Sequence, residues 1–123
     1  DAQIFYPTQA PQPGYSEQDP EVIWNAFVKC INKVIETLHN SPVSIGLSSA
    51  MHSLMAIDHD GVAITRLITW ADTRSEKIAE RTRQSSLAEN IYKETGTPIH
   101  SMAPLCKIIW LKENEPHIFH AAF

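Results

Sequence analysis

No apolar run among the 123 residues approaches the length needed to cross a membrane, so neither a secretory signal ahead of the domain nor a membrane partner is expected. Basic charge is scarce too. Ten Lys and Arg stand against fourteen Asp and Glu, a formal net charge of −4, which leaves no basic field for phosphates and argues against a nucleic-acid partner. An anionic small molecule can still meet a local cationic pocket, because total charge says little about one cleft. Cysteine is limited to Cys30 and Cys106, both among apolar residues in helical patterns. They read as buried, reduced thiols in keeping with a cytoplasmic protein, and nothing positive supports a disulfide between them. There is no Cys-x-x-Cys, no glycine-rich phosphate loop of Walker type and no internal repeat.

What is present fits a soluble globular domain or a piece of one, with 43% hydrophobic and 20% charged residues. The chain starts at Asp1 without a methionine and stops at Phe123 directly after a helical pattern. The expectation is an ordered or excised part of a longer protein.

Residues 1–16 are rich in proline and glutamine. Pro7, Pro11 and Pro13 keep them out of helix, Ile4-Phe5-Tyr6 form a brief extended segment, and Gly14 marks a turn. Asp19-Pro20-Glu21 is a helix start, with an N-cap, a proline at the first helical position and an acid at the positive end of the dipole. That helix is expected to run to about His39, ending before Ser41-Pro42. Two apolar stripes beside each other, one through Ile23 and Phe27 and one through Trp24 and Val28, predict a helix covered on more than one side. Val43 to Leu47 reads as a short buried strand. Asp58-His59-Asp60-Gly61 reads as a hairpin turn joining apolar runs at 54–57 and 62–69; a metal loop is the weaker reading, since no further ligands follow at calcium-loop spacing. Asp72 is placed to cap a charged helix over about 73–84, in which Ile78 is almost the only large apolar group. A short helix at about 87–94 stops at Gly96. A last helix over about 103–113 carries Leu105, Cys106, Ile108, Ile109 and Trp110, and Pro116 ends it or begins a terminal turn.

The stretch from Val43 to Arg74 organises the rest. It reads VSIGLSSAMHSLMAIDHDGVAITRLITWADTR: a strand that releases a polar pair, a hairpin, and an aromatic-acid-base cluster at a strand-to-helix junction. Ligands of open α/β sheets sit beyond the carboxyl ends of strands, which singles out Met51, His52, Trp70 and Arg74. On the residues alone His52 is a histidine satisfied by backbone groups, Trp70 is a packing residue and Arg74 is one of a solvated run of charges.

The blocks IGLSSAMHSLMAIDHDG, ITWADTR and TGTPIHSMAPLCKIIWLKENEP, with GYSEQDPEVIW ahead of them, resemble the amino-terminal domain of the FGGY family of carbohydrate kinases. The branch they look most like is gluconate kinase, with xylulokinase next. The resemblance runs from about Gly14 to the end. It implies an α/β, ribonuclease H-like domain of the actin and Hsp70 ATPase type, partial here, with a mixed sheet and flanking helices. It implies that Met51 and His52 line the sugar site, the first through its backbone and the second through its imidazole. Trp70, from a Trp-x-Asp-x-Arg motif, would be an aromatic wall for the C–H surface of a sugar. Asp72 would cap its helix and orient Arg74. Arg74, Lys107 or His100 would neutralise the carboxylate of a sugar acid, which is costly to bury unpaired. Met102 stands where related glycerol kinases offer a substrate-contacting tyrosine, a departure from that pattern.

The same resemblance brings ATP and magnesium as cofactors and a sugar or sugar acid as the small-molecule partner, and leaves room for a homodimer. An aspartate base and an Asp-Gly-Thr phosphate loop, which the family requires, are not in these residues; family order puts the loop before Asp1 and the base beyond Phe123. No catalytic residue is therefore expected in this segment, and alone it is expected to be inactive. The expected reaction of the parent protein is phosphorylation of D-gluconate. The alternatives are a kinase for xylulose or another ketose or polyol, and a non-catalytic sugar-sensing or interaction module. Other chemistries fare poorly. Ser48, Ser49 and His52 are too close along one strand end to be a nucleophile and base, and His117 and His120 read as surface histidines.

Overall fold

A computed structural model describes residues 1–40 and 42–123 of the chain. Its backbone gathers at Ile68. Strand β1 (Glu17–Gln18) pairs antiparallel with β2 (Leu67–Ile68), Glu17 opposite Ile68 and Gln18 opposite Leu67. On its other edge Ile68 exchanges both backbone hydrogen bonds with Leu54, and Glu17 in turn exchanges both with Gln9. Four segments therefore lie side by side around one nearly fully buried isoleucine. The sheet is a small antiparallel one; the mixed sheet expected from the sequence is not formed by the described residues.

The Asp58–Gly61 turn forms as expected. Asp58 Oδ1 accepts from the amides of Asp60 and Val62, Gly61 takes φ 78°, and Ile57 bridges Ala63 across the turn. That carboxylate completes an Asx-type turn. Between the bridges at 57–63 and 54–68, the hydroxyl of Thr65 accepts the Ala56 amide at 2.9 Å and interrupts the ladder.

Helix α1 (Pro20–Ile35) starts where Asp19 and Pro20 direct it, Asp19 Oδ1 accepting from the amides of Glu21 and Val22. It stops four residues earlier than expected. Ser41, part of its expected end, lies outside the described residues. Only Ala26 of this helix is buried, and Trp24, stacked on Phe27 at 5.5 Å, is exposed. The second covered side inferred from the paired stripes is absent among the described residues.

The expected strand at Val43–Leu47 is also not formed. This segment has no regular structure, and Val43, Ile45 and Leu47 are all exposed. A strand apolar on both faces needs neighbours to take up its amides and carbonyls, and no described segment runs beside it.

The carboxyl-terminal half is helical: α2 (Glu76–Arg83), α3 (Ala88–Thr95), α4 (Pro104–Asn114) and α5 (Pro116–Ala121). Gly96 closes α3 with φ 65°. Helices α2 and α4 meet through Ile78, Ala79 and Cys106, with Ile99, Ile109 and Trp110 packed against them. Ser75, between β2 and α2, donates from its buried hydroxyl to the Ser101 carbonyl at 2.9 Å, which fixes the loop before α4 to the start of α2. Burial pushes the Cys106 thiol above its ordinary pKa, so it is an inert core group.

Candidate substrate-binding site

The backbone from Ala50 does not continue straight. At His52 it takes φ 64°, the one positive φ of a described residue other than glycine. A left-handed residue that is not glycine is strained, and such strain persists only where surrounding structure holds it. Here the holder is Lys107. Its side chain comes from α4, is fully buried, and its ammonium donates to the carbonyls of His52 at 2.7 Å, Thr69 at 2.9 Å and Met102 at 2.8 Å. An ammonium has three protons, so its donors are all used. Burial pushes its pKa below the ordinary value, opposed by the nearby Asp72 carboxylate.

Above that cation the segments carrying Met51–His52, Trp70 and Met102 converge. With Ala50 these residues line an open hollow of about 360 Å³. His52 and Trp70 thus line one cavity. Met51 is 73% exposed and Trp70 54% exposed. An exposed indole beside a histidine, a methionine backbone and a thioether suits a guest with both C–H and hydroxyl surface. His100, exposed, accepts the Met102 amide on its Nδ1 at 3.1 Å and shapes the turn that carries this wall.

The Trp-x-Asp-x-Arg motif divides between two places. Trp70 goes to the hollow. Asp72 and Arg74 turn away and build a staple under β1. The Asp72 carboxylate accepts from the Ser16 amide at 2.7 Å, the Arg74 amide at 3.0 Å, and Arg74 Nε and Nη2 at 2.9 and 2.8 Å. Arg74 Nη2 also donates to Glu17, and the guanidinium lies 3.7 Å from the Tyr15 ring centre, with Trp110 at 5.1 Å. Only 5% of the Arg74 side chain is exposed. Burial works against its charge, but hydrogen bonds to Asp72 and Glu17 outweigh that and hold its pKa above the ordinary value. Arg74 lines a different cavity, of about 210 Å³, with Tyr15, Glu17 and Trp110.

Two expectations change accordingly. Asp72 orients Arg74 as expected, but it does not cap α2: Ser75 occupies the N-cap position, without a side-chain cap bond, and the carboxylate of Asp72 is taken by Ser16 and Arg74. Arg74 and Lys107, expected beside a substrate carboxylate, are both committed to internal partners. Neither lines the hollow.

Tyr15, Ser16 and Glu17 are contributors that sequence reasoning missed. Their segment was noticed only as part of a family motif, and their partners lie more than fifty residues away, so no local pattern marks them.

Three carboxylates are taken by neighbouring groups: Asp19 caps α1, Asp58 closes a turn, and Asp72 holds Arg74. No group of three His, Cys, Asp or Glu among the described residues is arranged to hold a metal ion.

The sequence profile of the FGGY family of carbohydrate kinases, N-terminal domain, matches residues 1–122. A gluconokinase of Bacillus licheniformis is 40% identical over 116 residues, covering 94% of this chain and 23% of that protein. A xylulose kinase of Staphylococcus xylosus is 31% identical over 113 residues, covering 91% of this chain and 23% of that protein. The crystal structure of gluconate kinase from Lactobacillus acidophilus superposes with a TM-score of 0.91 at 34% identity, covering 95% of this chain and 24% of that one. The chain belongs to the FGGY family of carbohydrate kinases, and its match is to the amino-terminal domain. Its fold is the α/β, ribonuclease H-like kinase fold in partial form, and it spans 23% of the length of the two curated relatives named.

Proposed function

We propose that the protein carrying this chain phosphorylates D-gluconate at its terminal hydroxyl with ATP and magnesium, and that residues 50–52, 70 and 102 form one wall of its sugar site. The observation that carries this is the shared hollow of Met51, His52, Trp70 and Met102. The gluconokinase relative at 40% identity supports the choice of sugar. In this reading the chain is a segment of the amino-terminal domain, without the first strands of that domain and without the carboxyl-terminal one. Nucleotide, metal and catalytic base belong to those other parts, and the setting is the cytoplasm. Phosphoryl transfer rests on positioning and charge neutralisation together, so a wall without those groups is inactive alone. What this chain's residues do is bind and orient: the indole covers the C–H face of the sugar, and the His52 imidazole and the backbone at Met51 meet hydroxyls.

A second reading, a kinase for xylulose or another neutral ketose or polyol, is favoured by one observation. The buried cations expected to meet a substrate carboxylate are already engaged, Lys107 by three carbonyls and Arg74, which lines another cavity, by two carboxylates, so neither answers it. A panel of gluconate, xylulose, glycerol and related sugars against the full-length protein, followed by ADP release, decides. Gluconate is expected to give the highest kcat/KM, and preference for a neutral ketose overturns the first reading.

A further inference from the structure

Lys107 is a charge placed wholly inside the chain, and its three acceptors are not scattered. They are the carbonyls of His52, Thr69 and Met102. Each belongs to, or immediately precedes, a residue of the hollow: His52 itself, Trp70 after Thr69, and Met102 itself. These three segments are far apart along the chain and come from a turn, the end of β2 and the loop before α4. Little else in the immediate shell ties all three together. The Ser75–Ser101 and Glu76–Ser101 hydrogen bonds hold the Met102 loop to α2, and the Leu54–Ile68 pairing holds the 52–54 turn to β2. None of these reaches all three at once.

We infer that Lys107 is the positioning residue of the sugar site, a central clamp that sets the distances between His52, Trp70 and Met102 and so governs sugar affinity without touching the sugar. The geometry at His52 supports this. Its left-handed turn places the carbonyl on the ammonium at 2.7 Å, and the same residue lines the hollow. Removing the ammonium removes the hold on the strained residue and leaves three carbonyls without their donor. The turn can then relax toward ordinary backbone angles, which withdraws the imidazole. The inference rests on the reading of the hollow as the sugar site.

The test uses the full-length protein and two variants, Lys107→Met and Lys107→Gln. Methionine keeps an apolar stem as far as Cε and removes every donor. Glutamine keeps two N–H donors on a shorter stem. Two readouts are compared with wild type: KM for sugar against KM for ATP, and amide exchange by mass spectrometry at the peptides containing Ser53, Trp70 and Ala103, whose amides follow the three carbonyls. The expected result for Lys107→Met is a sugar KM raised about tenfold or more, an ATP KM within about twofold, and faster exchange at all three peptides with α2 still protected. Lys107→Gln should fall between wild type and Lys107→Met in both readouts. If Lys107→Met does not accumulate as folded protein, Lys107→Gln decides by the same two readouts. Faster exchange with unchanged sugar KM reduces Lys107 to a stability residue and overturns the inference, as does unchanged exchange. The functional reading fails separately, on wild-type enzyme. If wild type prefers another sugar, gluconate is removed and the Lys107 comparison is made with the preferred sugar. If wild type phosphorylates none, both fall.

Discussion

The guanidinium carbon of Arg74 lies over the ring of Tyr15, 3.7 Å from its centre, while the same group reaches Asp72 and Glu17. One arginine thus joins the segment before α1 to the loop before α2, across 57 positions of sequence. Its charge is enclosed by two carboxylates and two aromatic rings, an arrangement that a planar, weakly hydrated cation fills and an ammonium does not.

Arg74→Met should therefore cost stability more than it alters sugar recognition. It leaves the fully buried Asp72 carboxylate and Glu17 without their cation, and breaking a buried pair from one side costs about 3–5 kcal/mol. Arg74→Lys should recover only part, because one ammonium cannot give the paired Nε and Nη2 bonds to Asp72. Amide exchange in β1 and β2 of the full-length protein measures this, and exchange at wild-type rates in Arg74→Met counts against the staple.

Acid should loosen the contact between α2 and the loop before α4. The Glu76 carboxylate accepts from Ser101 and Arg83, and these hydrogen bonds, the first the larger, hold its pKa below the ordinary 4.5. A carboxylate whose folded pKa is depressed contributes stability that is fully present above its unfolded value and lost as pH falls through the folded one. Glu76 is half-exposed, so that contribution is below about 1 kcal/mol. Wild type should exceed Glu76→Gln in thermal midpoint near neutral pH, with the gap closing between pH 4.5 and more acid values. A gap that stays constant with pH contradicts the assignment.

How much of this was legible in the sequence follows from where each residue's partners lie. Asp19-Pro20, Asp58 to Gly61 and Gly96 act on backbone within a few residues, and each formed what its type dictates. Asp72 stands where a cap belongs, yet its carboxylate went to Ser16, 56 positions away, a competition no local window contains. Val43 to Leu47 has the composition of a buried strand and lies exposed, because strand formation depends on neighbours rather than on the run itself. The hollow was reached through motif resemblance at Met51, His52, Trp70 and Met102, not through periodicity. Lys107 carried a fainter signal. It stands four residues before Leu111 on the buried stripe of α4, where a charge is out of place unless paired.

His52 combines a side chain for the sugar and a strained backbone, and two substitutions separate them. Glycine adopts φ 64° without penalty, so His52→Gly removes the imidazole and leaves the turn and its bond to Lys107 in place. Relief of strain, about 1 kcal/mol, offsets the greater freedom of glycine in the unfolded chain, so the thermal midpoint should hardly move. Alanine removes the imidazole too, but keeps the strain. Both variants of the full-length protein should therefore lose a similar amount of sugar affinity, about three- to tenfold in KM for one lost hydrogen-bonding group, with ATP kinetics little changed. His52→Gly should keep the wild-type thermal midpoint, and His52→Ala should not exceed it. If His52→Gly binds sugar as wild type does, the imidazole makes no contact with the substrate, and the hollow takes its guest through Trp70 and the backbone alone.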